Sequence, residues 1–200
     1  MILKKMDVNK HSPRKVAELI YEADTDTFDF FYGDQARTAE VIEKLVLAGG
    51  NNWGYEQIYV VCDDDEWVLG VLVINQGKNP NILDELKIIF KCLSIVDSLK
   101  FFIKSLLDRM FLSDLDDDDY FLAIIAVDET CRGQGIGSFI LEKGVELARQ
   151  SGSKRVVLLV NLDNFGALRL YERFGFKKFN KKSLPWFGGE KGAVNMELLI

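Results

Sequence analysis

Residues 131–137 read Cys-Arg-Gly-Gln-Gly-Ile-Gly, a cation followed by three glycines at every second position. The cluster follows a continuous apolar run at 120–127 and opens an amphipathic stretch reaching to about 151. Glycines between a buried strand and a helix let backbone N–H groups converge at the helix N-terminus, a site suited to an anion and above all to a pyrophosphate. Arg132 adds positive charge beside it. The competing reading is a tight strand-to-helix turn whose glycines only permit close packing. A P-loop needs G-x-x-x-x-G-K-[ST], and no lysine followed by serine or threonine closes this stretch. A dinucleotide loop needs G-x-G-x-x-G. Gly133 and Gly135 begin it, but the third glycine comes one position early, at Gly137, and Ser138 stands in its place. That weighs against a nucleotide-dependent oxidoreductase.

Other reactive types are sparse. Cys131 adjoins the loop, and a helix N-terminus can lower a thiol pKa, but the expectation is a small buried thiol outside the chemistry. The single histidine, His11, leaves little material for a metal site or a serine–histidine triad. Cys62, Cys92 and Cys131 are far apart, odd in number and form no C-x-x-C pair, so neither a zinc ribbon nor a disulfide framework is suggested. The acidic run at 114–119 lacks the glycine and terminal glutamate of a calcium loop, so no metal is expected. A net charge of −6 argues against a general binder of nucleic acid or anionic membrane and leans toward cationic partners such as amines. The N-terminus has no long apolar stretch, and no run approaches the roughly 20 apolar residues that cross a bilayer. A reducing cytoplasm is the expected compartment.

The elements that must position the glycine loop read as follows, within a single domain spanning 1–200. Ser12-Pro13 starts a helix that runs to about Glu22. Residues 23–34 mix acids with aromatics, as in a loop or a broken second helix. Residues 36–48 form a helix stopped by Gly49-Gly50. Two β-rich runs around the acidic turn 63–65 form an antiparallel hairpin. From 82 to 115 there is no glycine or proline, and Leu86, Ile89, Leu93, Val96, Leu99, Ile103, Leu106 and Met110 recur at spacings of three and four. This predicts one long helix or two short ones. Then come a buried strand at 120–127, the glycine loop, a helix from about 135 to 151, a strand at 154–161 and a helix at 164–174 ended by Gly175. Two strands at about 176–182 and 192–199 close the chain around a loop. The order implies an α/β or α+β fold, a mixed central sheet with flanking helices and at least one parallel pair.

The spacing R-x-x-G-x-G of Arg132, Gly135 and Gly137, after a strand ending Ala126-Val127, resembles the acetyl-CoA signature of the GNAT superfamily of N-acetyltransferases. Residues 164–176 are similar to that superfamily's second motif, N-x-x-A-x-x-L-Y-x-x-x-G-F, with matches at Asn164, Ala167, Leu170, Tyr171, Gly175 and Phe176. The tight resemblance covers about 120–178. It departs at 82–115, where the family usually has a short connection, so these residues read as a helical insertion. Its role is left open among a lid on the acceptor site, a homodimer contact and an enlargement of the core.

The resemblance implies a GNAT fold in which the fourth and fifth strands are parallel but splay apart, with the cofactor's pantetheine arm in the gap. Backbone groups near Ala126 and Val127 would bond that arm, and one N–H would polarise the thioester carbonyl. The amides of Gly133, Gln134, Gly135, Ile136, Gly137 and Ser138 would hold the pyrophosphate, and Asn164 would contact the cofactor. Tyr171 would protonate the departing thiolate, since a tyrosine of pKa about 10 keeps its proton at neutral pH. The alternative for Tyr171 is a core position, at helical spacing with Leu168 and Phe174. Glu22, Asp24, Asp29 and Asp119 are possible bases, none preferred over a surface role. Phe28, Phe30, Phe31, Tyr32, Trp186 and Phe187 fall where this family often builds its acceptor pocket. The implied activity is acetyl transfer from acetyl-CoA to an amine of a small molecule or peptide. The rival readings are transfer of another acyl group, a non-amine acceptor, or a non-catalytic acetyl-CoA sensor or interaction module.

Overall fold

The computed structural model describes residues 1–76, 82–112, 115–116, 118–186 and 189–200. Its centre is a seven-stranded sheet in the order β1-β2-β3-β4-β5-β7-β6. The strands are β1 Leu3–Lys5, β2 Ile58–Cys62, β3 Val68–Gln76, β4 Tyr120–Val127, β5 Arg155–Asn161, β6 Lys177–Trp186 and β7 Gly189–Leu199. Every pairing is antiparallel except β4 with β5.

Helices cover both faces. On one side lie α1 Pro13–Glu22, α2 Thr25–Tyr32, α3 Gln35–Ala48, α4 Ile82–Cys92 and α5 Ile95–Phe111; on the other lie α6 Ile136–Gln150 and α7 Phe165–Phe174. The alternation along β3 divides the two cores. Val71 and Val73 face the first group of helices, while Leu72 and Ile74 face α6. Gly144 allows α6 to lie close on the sheet, since a Cβ there would stand 3.2 Å from Leu122 and 3.3 Å from Leu72.

Local sequence accounts for the helix boundaries. Ser12 caps α1 by accepting from the Lys15 amide, with Pro13 in the first turn, and Asp34 caps α3 by accepting from the Arg37 amide. The acid-and-aromatic segment at 23–34 is a helix, α2, because its aromatics Phe28 and Phe31 share the buried side with Thr27 and Tyr32. The segment 82–115 divides into two helices. The break falls at Ser94, whose extended backbone and hydroxyl cap the Asp97 amide at 3.1 Å, a stop that needs neither glycine nor proline.

Three features differ from the sequence expectation. β1 was not anticipated: three residues carry too little pattern to register, and the strand exists because it pairs with β2. The terminal strands run on into the segment assigned to a loop, pairing as far as Trp186 with Gly189. Burial on α5 also runs against the apolar repeat. Val96, Leu99, Ile103, Leu106 and Met110 are exposed, and the face turned inward carries Asp97, Ser98, Phe101 and Lys104.

The parallel pair holds the geometry on which a site depends. Only Tyr120, Phe121 and Leu122 of β4 pair with Val156, Val157 and Leu158 of β5. Beyond them β4 stays bonded to β3 as far as Val127, and β5 to β7 as far as Asn161, so the two strands part like a V. The closed end is clasped by Arg155, whose Nε donates to Asp119 at 2.7 Å and whose other nitrogens reach Asp116 and Glu197. Leu122, buried at the last paired position and packed against Gly144, ties the sheet to α6. Leu122→Ala should therefore lower unfolding free energy by about 2–5 kcal/mol in urea titration; a loss under about 1 kcal/mol would mean that the core collapses around the vacancy.

Candidate active site

The V opens into a cleft of about 740 Å³. Its walls come from β4 and β5, the end of α1 and start of α2, the inward face of α5, the first residues of α7 and the start of β7. α5 is thus a wall of the cleft.

The glycine loop forms one rim. Gly133 and Gly135 have φ of +77° and +84°, a conformation that residues with side chains rarely adopt, although a Cβ at either position would meet nothing within 4 Å. These two glycines serve the turn. Gly137 differs: its φ is ordinary, and a Cβ there would only touch Leu170 and Val127 at 3.8 Å. The chain's own packing does not require a glycine at 137, and its absence of a side chain leaves the first turn of α6 open to close approach. Gly135 occupies the N-cap of α6 and supplies no side-chain acceptor, so the first-turn amides of Ile136, Gly137 and Ser138 are open to an external one. Gln134 lies between the two turn glycines and is exposed. These features fit a phosphate-bearing group approaching along the loop.

The loop is stapled to α1 at two points. Asp128 pairs with Lys15 and accepts from Thr130; hydrogen bonds from Lys15 first and Thr130 second hold its pKa down to about 2. Arg132 donates from Nε to the Val127 carbonyl at 3.0 Å and from its guanidinium to Glu22 at 2.7 Å. Its charge therefore bridges the rim to α1. Cys131 lies half-buried in the same turn, 3.5 Å from the Thr130 hydroxyl.

Strand register decides which backbone groups face the gap. The Asp128 amide bonds Leu69 and Ala126 pairs with Val71, so the polar groups of Ala126 point toward β3. Those of Ile125 and Val127 point toward β5. With the Val127 carbonyl accepting from Arg132, the N–H groups of Ile125 and Val127 are donors presented to the gap.

Tyr171 lies on the cleft wall, 8% exposed, beside Phe176 at a ring separation of 6.0 Å. Its hydroxyl makes no hydrogen bond among the described residues, and burial pushes its pKa up to about 12. Asn164 borders the cleft and caps α7, its Oδ1 accepting from the Ala167 amide at 3.0 Å.

The four acids separate clearly. Glu22 lines the cleft, and burial raises its pKa against the pull of Arg132 and Lys15. Asp24 sits at the N-cap of α2 without capping it; its carboxylate accepts from Lys191 at 2.9 Å and Asn161 at 3.3 Å. Burial alone would raise its pKa, but Lys191 and its other partners outweigh that and leave it below the usual range. Asp29 is turned to the Tyr21 hydroxyl at 2.9 Å, and Asp119 is held by Arg155.

Of the aromatics expected near an acceptor, Phe28 lies on the wall, Phe30 is exposed, and Phe31 and Tyr32 are buried. The Trp186 side chain and Phe187 fall outside the described residues. Sequence reasoning did not find Trp53, Phe101, Lys104, Asn161 or Lys191, all on the cleft wall. The one available signal was Lys104, a lysine within the apolar run of α5. A separate cluster lies at the other end of α1, where potential ligand atoms of His11, Cys62 and Glu66 fall within 4.8 Å of one another. There Nδ1 of His11 accepts from the Asp7 amide, which leaves the proton on Nε2 facing Glu66 at 3.2 Å. That arrangement pins the start of α1 to the β2–β3 turn.

A mixed sheet opened between two parallel strands, with a glycine loop on its rim, is the fold of N-acetyltransferases. The chain belongs to the acetyltransferase (GNAT) family, whose profile matches residues 18–176. An uncharacterized N-acetyltransferase of Methanocaldococcus jannaschii is 41% identical over 54 residues, 27% of this chain and 24% of that protein, so the match spans about a quarter of that relative. An N-acetyltransferase from Staphylococcus aureus Mu50 superposes over 99% of this chain and 100% of its own with a TM-score of 0.73, at 18% identity. The NatC complex bound to Gag peptide and CoA contains a chain with a TM-score of 0.55 and 16% identity, covering 100% of this chain and 98% of that one. At such identities the likeness is one of fold.

Asn164→Ala should lower stability by about 1 kcal/mol through loss of the cap, whereas Asn164→Asp should retain it. Equal stability of the two variants in denaturant would show that the side chain does not hold the start of α7.

Proposed function

We propose that this protein transfers an acetyl group from acetyl-CoA to a primary amine by direct attack. The observation that carries the reading is Tyr171, a proton-bearing hydroxyl with no hydrogen-bond partner among the described residues, set in the wall of the parted strands. Bound acetyl-CoA would supply an activated acyl group as a thioester. Of the chain's own groups, the amides of Gly133, Gln134, Gly135, Ile136, Gly137 and Ser138 bind its pyrophosphate, and Asn164 borders its path. The backbone of Ala126 keeps β4 on β3, and the Val127 N–H donates to the thioester oxygen. Arg132 orients the rim through Glu22 and the Val127 carbonyl.

In the transfer a nitrogen–carbon bond forms and the carbon–sulfur bond breaks. The amine gives up a proton and the leaving sulfur takes one. Tyr171 donates the second proton from its hydroxyl. Glu22 accepts the first, since it is the cleft acid that burial raises, the direction that suits a base working near neutrality. Asp24, held ionised, orients the acceptor. The NatC structure, whose contents are CoA and a peptide, lends support to the cofactor and to an amine acceptor. The three cysteines are free thiols, and no described helix is long and apolar enough to cross a membrane. Free thiols support a reducing compartment such as the cytoplasm.

Tyr171→Phe should lower kcat by about 100-fold or more in a thiol-release assay while acetyl-CoA affinity, read by calorimetry, stays within about twofold. Unchanged turnover would remove the residue from the mechanism. Glu22 and the amine must both be unprotonated, so kcat/KM should rise with pH. With the Tyr171 pKa at about 12, no descending limb should appear below about pH 10. A fall near pH 8 in the wild type, absent from the Phe variant, would contradict this assignment.

We also propose that the protein is a homodimer joined through α5. Val96, Leu99, Ile103, Leu106 and Met110 alternate at spacings of three and four on its exposed face, the seam by which one helix packs against a copy of itself. With Ile95 they form one exposed apolar stripe along the helix, the kind of surface that marks a protein–protein contact. Light scattering at about 100 μM should give twice the chain mass, and Leu99→Glu with Ile103→Glu should halve it without loss of the folded spectrum. A monomeric wild type would exclude the dimer.

A further inference from the structure

The inward face of α5 carries a charge that packing alone does not require. Lys104 is 5% exposed, with its ammonium 4.8 Å from the ring centre of Phe28 and 5.3 Å from that of Trp53. Phe101, one turn earlier on the same face, stacks edge-on against Trp53 at 5.2 Å. A methionine or leucine at 104 would fill this aromatic niche without desolvating a charge. The partner of Lys104 is Asp108, one turn along the same helix at 2.7 Å and about half exposed. An ion pair with one member in water is a weak tether, and that member can turn outward at little cost.

The opposite wall repeats the arrangement with the signs exchanged. Asp24 is mostly buried, bound by Lys191 and Asn161, and close enough to Lys104 for that charge to help hold it ionised. This end of the cleft therefore presents an enclosed cation on α5 and an anion at the start of α2, with the aromatic surfaces of Phe28 from α2, Trp53 and Phe101 from α5 packed around the cation. A simple alkylamine would join Lys191 at Asp24 and offer Lys104 nothing in place of Asp108. A simple carboxylate would do the reverse, and a polyamine would meet like charge. One molecule carrying both an amine and a carboxylate answers both walls.

We propose that the acceptor is a small amino acid, held with its amine toward Asp24 and its carboxylate on Lys104, its side chain lying against Phe28, Trp53 and Phe101. The inference rests on the acetyl-transfer reading and adds the substrate class. In it Lys104 is the residue that reads the carboxylate, Asp108 is the partner that the carboxylate displaces, and α5 is what gives the cleft this selectivity. Peptide amines lack the carboxylate beside the reacting nitrogen and are poor acceptors.

The test is thiol release from acetyl-CoA with matched pairs: each common amino acid against the amine left when its carboxylate is removed, such as phenylalanine with 2-phenylethylamine and leucine with isoamylamine. The amino acid of the best pair should have a kcat/KM at least about tenfold higher than its amine, the difference lying in KM. Lys104→Met should bring the two members to within about twofold of each other, and Lys104→Arg should restore the preference. Asp108→Asn, at a half-exposed position, should lower KM for the amino acid and leave the amine's KM where it was. Calorimetry with acetyl-CoA verifies that each variant is folded. Equal use of both members, preference for the amines, or a preference that survives Lys104→Met overturns the substrate class and leaves acetyl transfer intact. No thiol release from any member, with acetyl-CoA bound, overturns the transfer reading and the inference with it.

Discussion

The parting of β4 from β5 after three paired residues is the constraint from which the rest of the structure follows. A parallel ladder in the middle of a sheet ordinarily runs its full length, because an unpaired amide within a fold forfeits a hydrogen bond. Here the outer edge of each strand is fully bonded, β4 to β3 and β5 to β7, while the facing edges separate. The Arg155–Asp119 pair holds the strands together at one end, so the opening has a fixed apex. What remains between them is a slot with backbone donors on its walls, fixed by the ladders that hold β4 to β3 and β5 to β7.

The rim is built to keep that slot in register with the helices. Lys15 with Asp128 and Arg132 with Glu22 tie the glycine loop to the start and end of α1, while Ser12 and His11 fix where α1 begins. The acids at the end of α1 and the start of α2 then fall into different roles by environment alone. Glu22 is pushed up by burial and Asp24 is drawn down by the cations around it. Two carboxylates separated by one residue can in this way differ in protonation behaviour while sharing one wall.

How much of this could be read from the sequence depended on how local the determinant was. The glycine loop, the α1 and α7 starts and the β4 and β5 strands were legible because each is specified by its own residues: Ser12-Pro13, Asn164 with Gly175, and uninterrupted apolar runs. Tyr171 was singled out through a motif, and it lies buried on the cleft wall. The α2 helix and the break at Ser94 were less visible, since neither contains a breaker residue. Lys191 was hidden because β7 takes its place only by pairing with β5 and β6. The α5 face was the most misleading case. Its apolar repeat marked the solvent-facing side, and the cleft-facing side was marked by a polar residue, Lys104. A periodicity reveals that a helix has a greasy stripe; it does not reveal which neighbour the stripe addresses.

That reversal has a consequence for how α5 can vary in length. Each residue advances a helix by about 100°, so deleting one position before Lys104 would rotate the remainder of α5 by more than a quarter of a circle. A greasy side chain would enter the cleft and the lysine would leave it, while the outward stripe would lose its line midway. Both surfaces are written in the same phase of one helix, so neither can be shifted without scrambling the other. A change of length that keeps both faces of α5 in place therefore has to fall outside the helix.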